Sequence, residues 1–183
     1  MLVKDIIKLA CEFIDKKQLA LKIETSADLN EEEIKEVDEI VKCFNLVREE
    51  IATEIYPIVK IDRVKTHNLK VAFSQLEFAP ISILTVKDNA GRNVRHRILD
   101  EGIVAFASEV EVWYSTKPEI LSVDEEFSST LPERVYAYGV AREYYIKNAL
   151  YNDAEIWEER FKNSIEMLAP KKSGRILPRR RWL

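Results

Sequence analysis

"IYPIVKIDRVKT", Ile55 to Thr66, is where the chain changes its period. Upstream, apolar residues recur at helical spacing through Ile34, Val37, Val41, Phe44, Val47 or Leu46, Ile51 and Ile55, the stripe of an amphipathic helix. Pro57 has no N–H to donate and crowds the preceding turn, so the helix must stop there. Beyond it the pattern alternates. "IVKIDRVKT", "LKVAF", "ISILTVKD", "VRHRIL", "IVAFA" and "VEVWYS" are short, β-branched and punctuated, as strands are. In the last of them Val110, Val112 and Tyr114 share one face, and Glu111 and Trp113 the other. "DNAG", Asp88 to Gly91, reads as a hairpin turn, and Glu101-Gly102 as another. No helical segment separates these strands, so a parallel crossover is excluded. The expectation is one antiparallel sheet of five or six strands over residues 57–118.

Working outward, the helix before Pro57 starts at Asn30, an N-cap, with Glu33 completing a box-like start. Glu31, Glu32 and Glu33 lie where the helix dipole favours negative charge. A helix running from there to Pro57 spans roughly 40 Å. Before it, Ile6, Leu9 and Phe13, with Ile7, Ala10 and Ile14, predict a helix over Leu2 to Lys17, followed by a connector ending in "TSADLN". After the strands comes an irregular stretch with an acidic patch at Asp124, Glu125 and Glu126. A third helix starts at Thr130 to Pro132 and turns Val135, Tyr138, Ala141, Tyr145 and Ala149 inward. Gly139 costs ~1 kcal/mol inside a helix, so it marks either a close neighbouring helix or a tolerated defect. Asn152 or Asp153 caps a fourth helix, lined by Ala154, Trp157, Phe161, Ile165 and Leu168 and ended by Pro170. The predicted fold is α+β. Residues 1–56 and 119–170 form the two halves of a four-helix bundle, 57–118 an antiparallel insertion, and 171–183 an extended basic arm.

A hydrophobic fraction of 46% supports a core and argues against disorder. Two cysteines, Cys11 and Cys43, match no metal or disulfide framework and read as buried thiols. The two histidines, His67 and His96, have no partner at metal-ligand spacing, and four glycines form no phosphate-cradling loop. Paired carboxylates such as Glu49-Glu50 and Glu158-Glu159 are expected by chance among 32 acids. These observations point away from an enzyme, a metal site or a cofactor. No leader segment and no membrane span is legible, so a soluble protein made in a reducing compartment is expected.

Three stretches carry a resemblance: "CFNLVREEIATEIYPIVK" (Cys43 to Lys60), "LPERVYAYGVAREYYIKNALYNDAEIWEERFKNSI" (Leu131 to Ile165) and "RILPRRRW" (Arg175 to Trp182). With the order of elements, they resemble the head-to-tail adaptor proteins of tailed bacteriophages, in particular the branch of the tail tubular protein A of short-tailed phages and the related ring proteins beneath the portal. The resemblance covers most of the chain as architecture and is sharpest in the last two helices. It implies a structural protein of the virion, made in the bacterial cytoplasm. Such proteins form a homo-oligomeric ring, usually of twelve copies, on the portal protein. They extend the channel through which genomic DNA passes without sequence-specific binding, and they offer a surface to a downstream tail or neck protein. The C-terminal segment commonly grips the portal.

The arm is consistent with that role on local physics. Residues 171–183 carry six basic side chains and no acid, whereas the preceding 170 residues set 22 basic against 32 acidic, a charge of −10. Ile176-Leu177 and Trp182-Leu183 flank Arg179, Arg180 and Arg181, with Pro178 between and Gly174 as a hinge. Arg and Trp are favoured interface anchors, Pro limits the ordering cost, and a ring multiplies modest contacts. Arg175, Ile176, Leu177, Pro178, Arg179, Arg180, Arg181, Trp182 and Leu183 are therefore the candidate portal-docking residues. The alternative is a DNA-binding or regulatory module using the same basic arm, whose affinity would fall roughly a thousandfold between 50 and 200 mM salt. An acidic body and a short arm favour docking on protein over DNA contact or a passive tail. Tyr136, Tyr144 and Tyr151 divide between core and ring interface in a way the sequence leaves open, and their surplus of aromatic surface favours oligomerisation.

Overall fold

The computed structural model describes residues 1–25 and 27–168. Their fold is mixed α+β, with five α-helices and two small antiparallel sheets. Helices α1 (Val3–Phe13), α2 (Lys17–Thr25) and α3 (Glu31–Glu50) come first, and a π-helical turn, Ile51–Ile55, carries α3 to Pro57. Six strands follow: β1 (Ile58–Lys65), β2 (Lys70–Ala72), β3 (Pro80–Lys87), β4 (His96–Leu99), β5 (Gly102–Ala105) and β6 (Glu109–Thr116). Helices α4 (Glu133–Lys147) and α5 (Tyr151–Leu168) complete the described chain.

The helix expected over residues 2–17 and its connector are two helices instead. Ile14 N donates to Ala10 O, and Lys16 N reaches back to Cys11 O at 2.7 Å, with Asp15 between them at φ 60°. This is the left-handed helix stop that glycine usually occupies. With Asp there, the sequence carries no punctuation, and α2 begins one residue after Lys16. The long helix does start with the full capping box. Asn30 Oδ1 accepts from Glu33 N and Glu33 Oε2 from Asn30 N, each at 2.9 Å. Its apolar row is shifted, however: Ile34 and Leu46 are exposed while Ile40 and Cys43 are buried.

The β region also differs from the single sheet expected. The order is β1-β6-β3 in one three-stranded sheet and β2-β5-β4 in the other. β6 and β5 are the central strands, and no ladder joins an edge strand of one sheet to an edge strand of the other among the described residues. The inner faces nevertheless meet in one apolar cluster, with Val64, Val86, Val110, Val112 and Tyr114 from the first sheet and Val71, Ile103 and Ala105 from the second. The turn at Asp88 to Gly91 forms, with Asp88 Oδ1 accepting from Ala90 N and Arg92 N at 2.9 Å and Gly91 at φ 75°. It leads the chain out of the first sheet and into the second.

A separate, larger core is built by the helices. α4 is its centre, burying Val135, Tyr136, Ala137, Val140 and Ala141 against α1, α3 and α5. Gly139 is there for close approach: a Cβ would lie 2.6 Å from Val47 Cγ1 and 3.1 Å from Phe161 Cε2. The irregular segment after β6 ties the two halves together. Asn45 brackets Leu121 with two hydrogen bonds of 2.9 Å, Arg48 Nη1 donates to Glu119 O at 2.7 Å, and Val3 N donates to Glu125 O at 3.0 Å.

Candidate functional site

The nine arm residues singled out by the sequence, Arg175 to Leu183, lie outside the described residues, as does Pro170. What the described chain offers must be read from its titratable clusters, its clefts and its exposed apolar surface.

Cys11 and Cys43 are buried on α1 and α3. Burial pushes their thiols up to about 12 and about 11, so neither supplies thiolate near neutrality. Among the described residues no three His, Cys, Asp or Glu side chains are grouped to hold a metal ion, and no helix is long and apolar enough to cross a membrane.

The densest charge cluster sits where α3, α4 and α5 meet. Arg142, only 8% exposed, is ion-paired to Glu50, to Glu143 at 2.6 Å and to Glu158 at 2.8 Å. Its guanidinium lies 4.9 Å from the Phe161 ring centroid. Burial works against its charge, but the carboxylate hydrogen bonds prevail and raise its pKa above the ordinary arginine value. Burial likewise opposes the charge of Glu158, and hydrogen bonds from Lys162 and Arg142 overcome it and lower its pKa. Every ion pair of the guanidinium is to a carboxylate of α3, α4 or α5, so the cluster clamps three helices together.

A cleft of about 440 Å³ opens between the helical body and the strands, lined by Arg48, Tyr56, Pro57, Pro118, Phe127, Ser129 and Tyr136 among others. Arg48 stacks 4.8 Å from the Phe127 centroid. The Tyr136 hydroxyl pairs with Ser129 Oγ at 2.8 Å. Tyr136 is thus core, Tyr144 is half-buried with its hydroxyl donating to Glu36 at 3.2 Å, and Tyr151 is exposed. This divides the three tyrosines that the sequence left unassigned.

Apolar side chains are also exposed on the first sheet. Val59 and Ile61 on β1 are exposed, Ile61 directly beside Trp113 of β6, and so are Ile81 and Leu84 on β3, each at a register shift where β3 has one residue more than β6. The Lys87 ammonium covers that indole, 4.2 Å from the ring. Arg63 pairs with Glu111 at 2.7 Å on the same face, and this hydrogen bond is the chief cause that holds the Glu111 carboxyl below its ordinary range. Part of the signal was present in the sequence: "IVKI" places apolar residues on both phases of the alternation, so one phase of β1 had to face outward.

Comparison with protein-family models found no match, and no curated protein matches the chain.

Proposed function

We propose that this chain is a structural head-to-tail adaptor of a tailed bacteriophage, one subunit of a ring that sits beneath the portal, extends the DNA channel and docks the tail or neck. The observation that carries the proposal is the apolar outer face of the first sheet. The helical core and the strand core each close on themselves, yet Val59, Ile61, Ile81 and Leu84 remain uncovered. Exposed apolar side chains on the two edge strands of one sheet, beside ion-paired charge, suit an assembly surface. The resemblance of the helix–strand–helix order and of "RILPRRRW" to head-to-tail adaptors supplies the identity of the assembly.

In this reading the folded body packs against its neighbours and the arm, Arg175 to Leu183, holds the ring to the portal. Arginines meet acidic groups of the partner, and Trp182 is the apolar anchor. The protein is a virion component with no catalytic role. Deleting residues 171–183 and measuring portal binding by co-sedimentation tests the arm directly: loss of binding is expected, and undiminished binding contradicts it.

A further inference from the structure

We infer that the outer face of the second sheet, β2-β5-β4, is a contact surface for the phosphate backbone of nucleic acid. The register places Lys70 on β2, Val104 on β5 and Arg97 on β4 in one row across the sheet. Strands are ~4.8 Å apart, so the two cations stand about 10 Å apart at their Cα atoms. Val71, Ile103 and Ala105 alternate with this row and fill the core, which turns Lys70, Val104 and Arg97 outward. Arg95 lies two residues from Arg97, and Phe106, two residues past Val104, donates its N–H to Arg95 O.

Lys70, Arg95 and Arg97 are exposed, and Phe106 is 63% exposed. The ion pairs formed within the strand region among the described residues, Arg63–Glu111 and Arg92–Asp88, involve none of the three cations. Exposed His67 lies beside Lys70, whose N–H bonds to its carbonyl. The nearest carboxylates in the sequence of this sheet, Asp100 and Glu101, belong to the β4–β5 turn at the other end of the strands. Three cations without an ion pair among the described residues, beside an exposed aromatic ring, suit a polyanion whose charges recur every ~1.7 Å along its axis, and they do so as a local patch on a chain whose net charge is −4. Lys70, Arg95 and Arg97 carry charge suited to phosphates, so the contact is to the backbone, with Phe106 available to stack where bases are unpaired. This surface is distinct from the basic arm and stands whether or not the adaptor reading holds.

The test uses the full chain and a fluorescein-labelled duplex of mixed sequence, followed by anisotropy from low to moderate salt. The triple variant Lys70→Gln, Arg95→Gln, Arg97→Gln is expected to lose at least tenfold in affinity at low salt, and its log–log salt slope to shrink by nearly three. Arg95→Lys with Arg97→Lys keeps the charge and is expected to bind as the parent does. Arg179→Gln, Arg180→Gln, Arg181→Gln isolates any contribution of the arm. Three results would overturn the inference: no duplex binding by the parent chain at low salt, an unchanged affinity and slope in the sheet variant, or equal displacement of the duplex by polyglutamate of matched charge.

Discussion

Gly139 and Tyr114 are the residues at which small changes are most informative. Gly139→Ala adds a methyl where Val47 and Phe161 already crowd. Overpacking of ~1–3 kcal/mol outweighs the ~1 kcal/mol that alanine gains as a helix former, so a lower urea midpoint is expected although the helix propensity improves. Tyr114 is buried, with its hydroxyl donating to Asp62 at 2.7 Å. Burial first, and then that carboxylate, push the phenol up from 10.0 to about 12. The fold therefore favours the neutral phenol. Its contribution is complete below the unfolded value of 10.0 and is lost as pH rises toward about 12. Tyr114→Phe should make the alkaline loss of stability shallower in urea titrations on either side of about pH 10; an unaltered slope would show that the hydroxyl does not contribute. Arg142→Ala strands three carboxylates. Because Glu50 and Glu158 are 30% exposed, the cost should fall below the ~3–5 kcal/mol of a fully buried pair, but it should remain readable as a fall in melting temperature.

At the scale of elements, what could be read from the sequence was what carries local chemistry. Pro57 ends the helical region, Asn30 and Glu33 make their capping box, and β1 and β6 alternate as written. The break at Asp15 was hidden because a non-glycine residue holds the left-handed stop, and α2 was taken for a connector. The division into two sheets was hidden because alternation tells which face of a strand is apolar and is silent on which strands pair. Gly102 is the residue that enforces the second sheet: a Cβ there would lie 2.2 Å from Val71 O. Gly102→Ala is accordingly expected to disrupt β2-β5-β4 while sparing the helices. Faster amide exchange at Val71 and Ile103, with unchanged exchange in α4, is the signature to look for. Asn30→Ala removes the cap of α3 and should cost ~1 kcal/mol, measurable by thermal unfolding.

For the whole molecule, the chain combines a helical body clamped by Arg142, a strand unit with its own core, and a basic arm whose nine candidate residues lie beyond the described structure. The helical body and the strand unit were legible as separate regions because the hydrophobic period changes at Pro57. The uncovered face of the first sheet was not singled out, because the register shifts of β3 at Ile81 and Leu84 leave no mark in the alternation. It is this face, with the arm, on which the assembly account depends. The most direct measurement is electron microscopy of the purified chain mixed with a cognate portal protein, followed by two-dimensional class averaging. The account predicts end-on rings of rotational symmetry and an added layer on the portal in side views, both lost when Ile61 and Leu84 are changed to lysine. Portal particles with no added density, beside free monomers of the chain, would contradict it.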